Sequence, residues 1–121
     1  MTTAGLIMVN LDCADPARQA AFYAAVLGWD VTHSQDEYAM ISDGKTSIGF
    51  GRVEGYKPPA WPDTTAEKRY HLDLGVADLA EAEKRCHELG ATTPDFQPGE
   101  NWRVLLDPDG QPFCLCVTQS S

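Results

Sequence analysis

Few residues of this chain have side chains that could carry chemistry. Strand-like alternation places His71 and Asp73 two apart in Tyr70–Val76, and Cys114 and Cys116 two apart in Phe113–Val117, so each pair shares one face. An imidazole suits proton transfer or polar recognition of a ligand. A satisfied structural histidine, or a neutral polar group in a ligand cleft, is a simpler role for His71 than general base. Met8 and Asn10 occupy the matching face of Leu6–Leu11. Tyr38, Phe50, Tyr56, Trp61 and Trp102 fall on presumptive cleft strands or beside them, where stacking walls for a flat or cationic ligand would lie. The competing reading lets Phe50 and Tyr38 fill the sheet and Trp61 pack at a dimer seam. Asp107-Pro108-Asp109-Gly110 reads as a turn despite its two carboxylates. There is no Gly-rich phosphate loop, nucleophile elbow or repeated Cys/His set.

The elements that position these residues repeat. Leu72, Leu74 and Val76 alternate with polar or small residues, predicting a strand; Asp78 then caps a helix, Glu81 completes a capping box, and Gly90 ends it. Leu79, Ala82, Cys86 and Leu89 form the apolar face of that helix. Upstream, Leu6–Leu11 predicts a strand, Asp15 and Pro16 a helix start, and Gly28 its end, an offset of 63 from Asp15 to Asp78. Each copy continues into strands joined at an Asp-Gly turn, Asp43-Gly44 and Asp109-Gly110, a strong hairpin signal. Trp29–His33 adds a strand to the first copy; between Thr92 and Trp102 the prolines allow only a short one in the second. By alternation Ile7, Val9 and Leu11, then Leu72, Leu74 and Val76, and finally Phe113, Leu115 and Val117 should pack beneath the helices.

A chain of 121 residues has room for one compact domain or two small modules sharing a core. The expected modules are residues 5–52 and 69–118, joined by an aperiodic linker, 53–68, rich in proline and aromatics. A net charge of −9 argues against nucleic acid and mildly favours a neutral or cationic ligand. The chain has no long apolar run and no secretory pattern, so neither membrane insertion nor export is expected and a cytoplasmic location is the default. The four cysteines follow no metal or disulfide spacing and are expected as reduced thiols.

The phrases DPARQAAFYAAVLGW, YHLDLGVADLAEAEKRCHELGA and LLDPDGQPFCLCV, in this order across nearly the whole chain, resemble the vicinal oxygen chelate superfamily. That group includes glyoxalase I, bleomycin-resistance proteins and extradiol dioxygenases. The resemblance implies a single α+β domain over residues 1–121, with two tandem βαβββ modules forming a curved, half-open mixed sheet barrel with helices outside. It also implies a ligand or divalent metal in the shared concavity, and a homodimer. Carried over, the family's metal positions fall on Met8 and Ile48 in the first module and on His71 and Cys114 in the second; only His71 is the expected type. No metal cofactor is therefore expected. The alternative is a soft site of His71, Cys114 and Met8 for Zn²⁺ or Cu(I), supported by Asp73 or Asn10.

The implied function is a metal-free binder that sequesters a small molecule, an antibiotic or other natural product, against Trp102, Trp61, Tyr38, Phe50 and Tyr56, with His71 and Asn10 as polar contacts. Catalysis is disfavoured by the missing ligands. The alternatives are a lyase, isomerase or dioxygenase with an atypical divalent-metal site, and an accessory module whose cleft is filled by side chains.

Overall fold

The computed structural model describes residues 2–62 and 70–118, which divide between Tyr56 and Lys57 into two compact units. Positions 63–68 of the expected linker, and residue 69 at the start of the second module, lie outside the described residues. The fold is α+β: the described residues form two helices and seven strands in two mixed sheets, neither closed on itself. No described helix is long and apolar enough to cross a membrane.

In the first unit, β1 (Val9–Cys13) leads into α1 (Pro16–Leu27), followed by β2 (Asp30–Ser34), β3 (Tyr38–Ser42) and β4 (Ser47–Arg52). The sheet order is β1-β4-β3-β2, with β1 parallel to β4 and the other pairs antiparallel. The Asp15 carboxylate accepts the Arg18 N–H at 3.2 Å, Pro16 takes the first turn where no donor is needed, and Gly28 at φ 72° closes the helix. Asp43 organises the β3–β4 turn by accepting the N–H groups of Lys45 and Thr46 at 2.9 and 2.7 Å. Ala20, Phe22 and Tyr23 of α1 pack on Ala39, Ile41, Ile48 and Phe50. Tyr23 stacks on Phe50 with ring centroids 5.6 Å apart.

The first strand begins later than its pattern predicts. Leu6 and Ile7 are 87% and 85% exposed, Val9 is exposed, and the deeply buried position is Cys13. The reason is the partner: the β1–β4 ladder opens at Val9 opposite Ile48, because the turn before Ser47 carries β4 no further back. A strand extends only as far as its neighbour supplies hydrogen bonds.

In the second unit, β5 (Leu72–Val76), α2 (Leu79–Glu88), β6 (Trp102–Leu106) and β7 (Pro112–Val117) form a sheet of order β5-β7-β6, with β5 parallel to β7. Asp78 caps α2 through the Glu81 N–H at 3.0 Å, and Gly90 at φ 115° follows its end. Leu105, Phe113 and Leu115 are buried on the helix side, as alternation predicts for the last two, whereas Val117 at the strand end is exposed. In the Asp107–Gly110 turn, Asp107 is 3% exposed and its carboxylate accepts the N–H groups of Asp109 and Gln111, each at 3.0 Å.

This unit is one strand short of the expected βαβββ module. Between α2 and β6 only Thr92 pairs, bridging Leu106 in both directions at 2.9 and 2.7 Å. Pro94 and Pro98 supply no N–H to a ladder. Gln97 stands in for the missing strand. Its amide nitrogen donates to the Val104 carbonyl at 3.0 Å, and its oxygen accepts the Val104 N–H at 2.9 Å.

An ionic cluster ties α2 to β6. Arg103 donates to both Glu83 oxygens at 3.1 and 3.3 Å, Thr93 donates to Oε2 at 2.7 Å, and the His87 ring lies 2.6 Å from the Thr93 hydroxyl. Partial burial pushes the Glu83 carboxyl up, but the Arg103 and Thr93 hydrogen bonds, with the charges of Arg103 and His87, outweigh it and hold the group below its usual range. A depressed folded-state pKa gives stability that is present above the unfolded value, near pH 4, and lost as pH falls through the lower folded value. Glu83→Gln is therefore expected to cost about 1 kcal/mol at pH 7. Denaturant curves at pH 7 and pH 3 should show the gap between variant and parent narrowing in acid.

Candidate binding site

The face of the second sheet turned away from α2 carries the groups with chemistry. Parallel pairing sets Asp73 opposite Cys114 and Gly75 opposite Cys116, while antiparallel pairing sets Trp102 opposite Cys116. His71 precedes β5 on the same face. These side chains, with Trp61 and Pro98, line a cavity of about 330 Å³. The His71 side chain is 13% exposed; its Nε2 lies 3.1 Å from Asp73 Oδ1, and its ring is 4.9 Å from that of Trp61. Cys114 is buried and Cys116 half-buried. Burial first, then the negative charge of Asp73, pushes the Cys116 thiol up, so it stays protonated at neutral pH. On the far wall the Trp102 indole lies where a Cβ on residue 99 would sit, so Gly99 is what admits the ring.

Trp61 also borders a second cavity of about 510 Å³, walled by Pro58, Pro59, Pro62, Pro94, Phe96 and Leu106 among others. Its lining is mostly apolar. Both volumes fall in the range of small-molecule pockets.

Of the residues expected at a ligand site, Trp61, His71 and Trp102 come together in one cavity wall. Tyr38, Asn10 and Met8 belong to the first unit: the Tyr38 hydroxyl donates to the Met8 sulfur at 3.3 Å, and the Asn10 amide and Tyr38 hydroxyl crowd over Gly49. Tyr56 is half-buried and borders neither cavity. Phe50 is corrected outright. It is fully buried beneath α1, on the core face of β4, and offers nothing to a ligand.

The carried-over metal position Ile48 is corrected too. In the first unit the parallel pair equivalent to Asp73 and Cys114 is Asn10 and Gly49, so Ile48 is one residue out of phase and points into the core. The positions matching His71, Asp73 and Cys114 are thus Met8, Asn10 and Gly49: a thioether, an amide and no side chain. A divalent-metal set drawing hard donors from both modules does not fit these residues. The second unit does supply three donors. The ligand atoms of His71, Asp73 and Cys114 all lie within 4.8 Å of one another. Asp73, expected only in support, stands beside His71 and Cys114 in this cluster, and its spacing of two from His71 was the available signal.

A family profile described as a glyoxalase-like domain matches residues 8–116. The chain belongs to this glyoxalase-like family. A search of curated proteins finds no match. Among solved structures, the glyoxalase-like fold is shared with a glyoxalase/bleomycin resistance protein/dioxygenase family enzyme from Burkholderia phytofirmans PsJN, at 22% identity and TM-score 0.70, covering 96% of this chain and 100% of that one. A bleomycin-binding protein complexed with bleomycin matches at 22% identity and TM-score 0.58, covering 97% and 100% of the two chains. A fosfomycin resistance protein from Listeria monocytogenes matches at 14% identity and TM-score 0.70, covering 98% and 96%. At these identities the likeness is one of fold.

Proposed function

We propose that this glyoxalase-like protein binds a small organic molecule, an antibiotic or other natural product, and acts by sequestering it. The observation that carries this reading is the cavity that Trp61 and Trp102 line together with the polar groups of His71 and Asp73. Indole walls bury a flat ligand and attract a cationic one, and the Asp73 carboxylate at the rim, 64% exposed, supplies a counter-charge. The adjoining apolar cavity offers room for a hydrophobic extension. A net charge of −9 draws cations toward the protein. A bleomycin-binding protein and a fosfomycin resistance protein of the same fold support the ligand class. On this reading the protein works in the cytoplasm as a homodimer.

Tryptophan fluorescence titrated with a panel of flat and cationic natural products, bleomycin among them, tests this. Binding is expected, and Trp102→Ala should weaken it about tenfold, the worth of one good stacking or cation–π contact. Gly99→Ala should weaken it too, because the added methyl displaces the indole. No response across the panel, or affinities indifferent to both substitutions, would refute sequestration at this cavity.

A second reading, a lyase, isomerase or dioxygenase with an atypical metal set, is favoured by one observation, the convergence of His71, Asp73 and Cys114. In it those residues would hold a divalent ion that polarises a substrate oxygen, while the tryptophans orient the substrate and exclude water.

A further inference from the structure

We propose that the proline-walled cavity of the second unit is a binding site in its own right, for an uncharged aromatic molecule of two or three rings. This goes beyond sequestration in the tryptophan-walled cavity: the ligand is of another class, and its binding needs neither His71 nor Asp73.

The lining chooses the ligand. No charged side chain of the described residues borders this cavity. Pro58, Pro59, Pro62 and Pro94 have no N–H to give, and the N–H groups of Leu106 and Gly110 are spent on the carbonyls of Thr92 and Asp107, at 2.7 and 2.8 Å. A carboxylate, phosphate or sulfonate placed there would lose its water and find few hydrogens in return, so anions are rejected. Proline rings and aromatic faces pack on one another, and Trp61 and Phe96 add flat apolar surface. Size sets the number of rings. A dry cavity of about 150 Å³ holds one benzene, and this one, of about 510 Å³, has room for two or three rings.

The walls are anchored separately. On one side Pro58 packs over Gly110, where φ is 87° and a Cβ would stand 2.9 Å from the proline ring. That glycine belongs to the turn braced by the Asp107 carboxylate. On the other side the Thr93 hydroxyl is tied to Glu83, and the Gln97 amide donates to the carbonyls of Pro94 and Val104 at 3.1 and 3.0 Å. These bonds fix the loop that carries Pro94 and Phe96. Walls held from two independent anchors do not close over their own apolar surface, so it stays in contact with solvent until a ligand covers it, and little ordering is lost when one does.

The test titrates the full chain with N-phenyl-1-naphthylamine, an uncharged three-ring dye whose emission rises in apolar surroundings, and with the sulfonate of the same skeleton, 1-anilinonaphthalene-8-sulfonate. The uncharged dye is expected to saturate at one equivalent per chain, and the sulfonate to bind at least about tenfold more weakly. Phe96→Asp should weaken the uncharged dye at least about tenfold by setting a carboxylate in the wall. Phe96 is 46% exposed and lies outside both sheets, so the fold tolerates the change. Leu6→Ser, in the exposed apolar segment of the first unit, should bind the dye as the parent does. No saturable binding, equal affinity for the two dyes, or a Phe96→Asp affinity equal to that of the parent would overturn the site. So would a loss caused by Leu6→Ser, which puts the dye on the N-terminal segment, or one caused by Trp102→Ala but not by Phe96→Asp, which puts it in the tryptophan-walled cavity. Comparing the two dyes needs no variant and decides the matter even where Phe96→Asp does not fold. Quenching of the tryptophans by natural products is a separate measurement, so failure here leaves sequestration standing, and the converse.

Discussion

Phe50→Ala is expected to destabilise the protein by about 3–5 kcal/mol, the usual cost of emptying a large aromatic position in a core. Phe50 is fully buried, stacked 12° from parallel on Tyr23, and flanked on its ladder by Leu11 of β1 and Ala39 of β3. Three hydrogen-bonded strands and α1 surround the vacated volume, and strands fixed by their ladders cannot collapse into it, so the cavity term stays nearly whole. With domain stabilities of about 5–15 kcal/mol, the variant stands near the limit of folding at 37 °C. Urea unfolding measures the loss directly. Phe50→Leu keeps most of the volume and should cost distinctly less. A loss below about 1 kcal/mol for Phe50→Ala would mean that the site is more open than its burial indicates.

Asp107→Ala should cost about 2–3 kcal/mol for a different reason: two backbone donors lose a charged acceptor in a place water scarcely reaches. The carboxylate replaces solvent for the N–H groups of Asp109 and Gln111, while the Asp107 N–H donates to the Gln111 carbonyl at 3.0 Å and Gly110 donates back to the Asp107 carbonyl at 2.8 Å. Removing the side chain leaves the backbone turn but strips its inner support. Asp107→Asn retains an acceptor oxygen and should fall within about 1 kcal/mol of the parent. Equal losses in the two variants, read from urea midpoints, would show that charge rather than acceptor geometry matters.

The local signals proved dependable where they had a local cause. Asp15 and Asp78 cap helices because a carboxylate satisfies N–H groups three residues on, and Gly28 and Gly90 follow them at positive φ because other residues are strained there. The Asp43 and Asp107 turns are local as well. Pairing between distant strands was not legible to the same degree. Alternation states which residues share a face, but a shift of one residue reverses the faces, and Ile48 and Phe50 were lost to the cavity in that way. Leu6 and Ile7 have an apolar pattern with no ladder partner on β4. The missing fourth strand of the second unit depended on the two prolines, which the sequence displayed, and on Gln97, which no pattern marks. For the candidate site, Trp61, His71, Trp102 and Cys114 were visible as single residues. Their meeting with Asp73 follows from the parallel register of β5 on β7, which only the folded chain reveals.

The role of Gln97 reaches beyond one missing strand. A strand at the rim of a sheet exposes a row of backbone groups on which another chain can add itself and begin intermolecular assembly. At the rim of β6 both backbone groups of Val104 are taken by a side-chain amide and those of Leu106 by Thr92, so the central part of that rim has no template to offer. A carboxamide can satisfy those groups but cannot propagate a ladder, because nothing on its far side repeats the strand. The second sheet therefore ends at this side in a seal that discourages fibre growth without the length of a fourth strand.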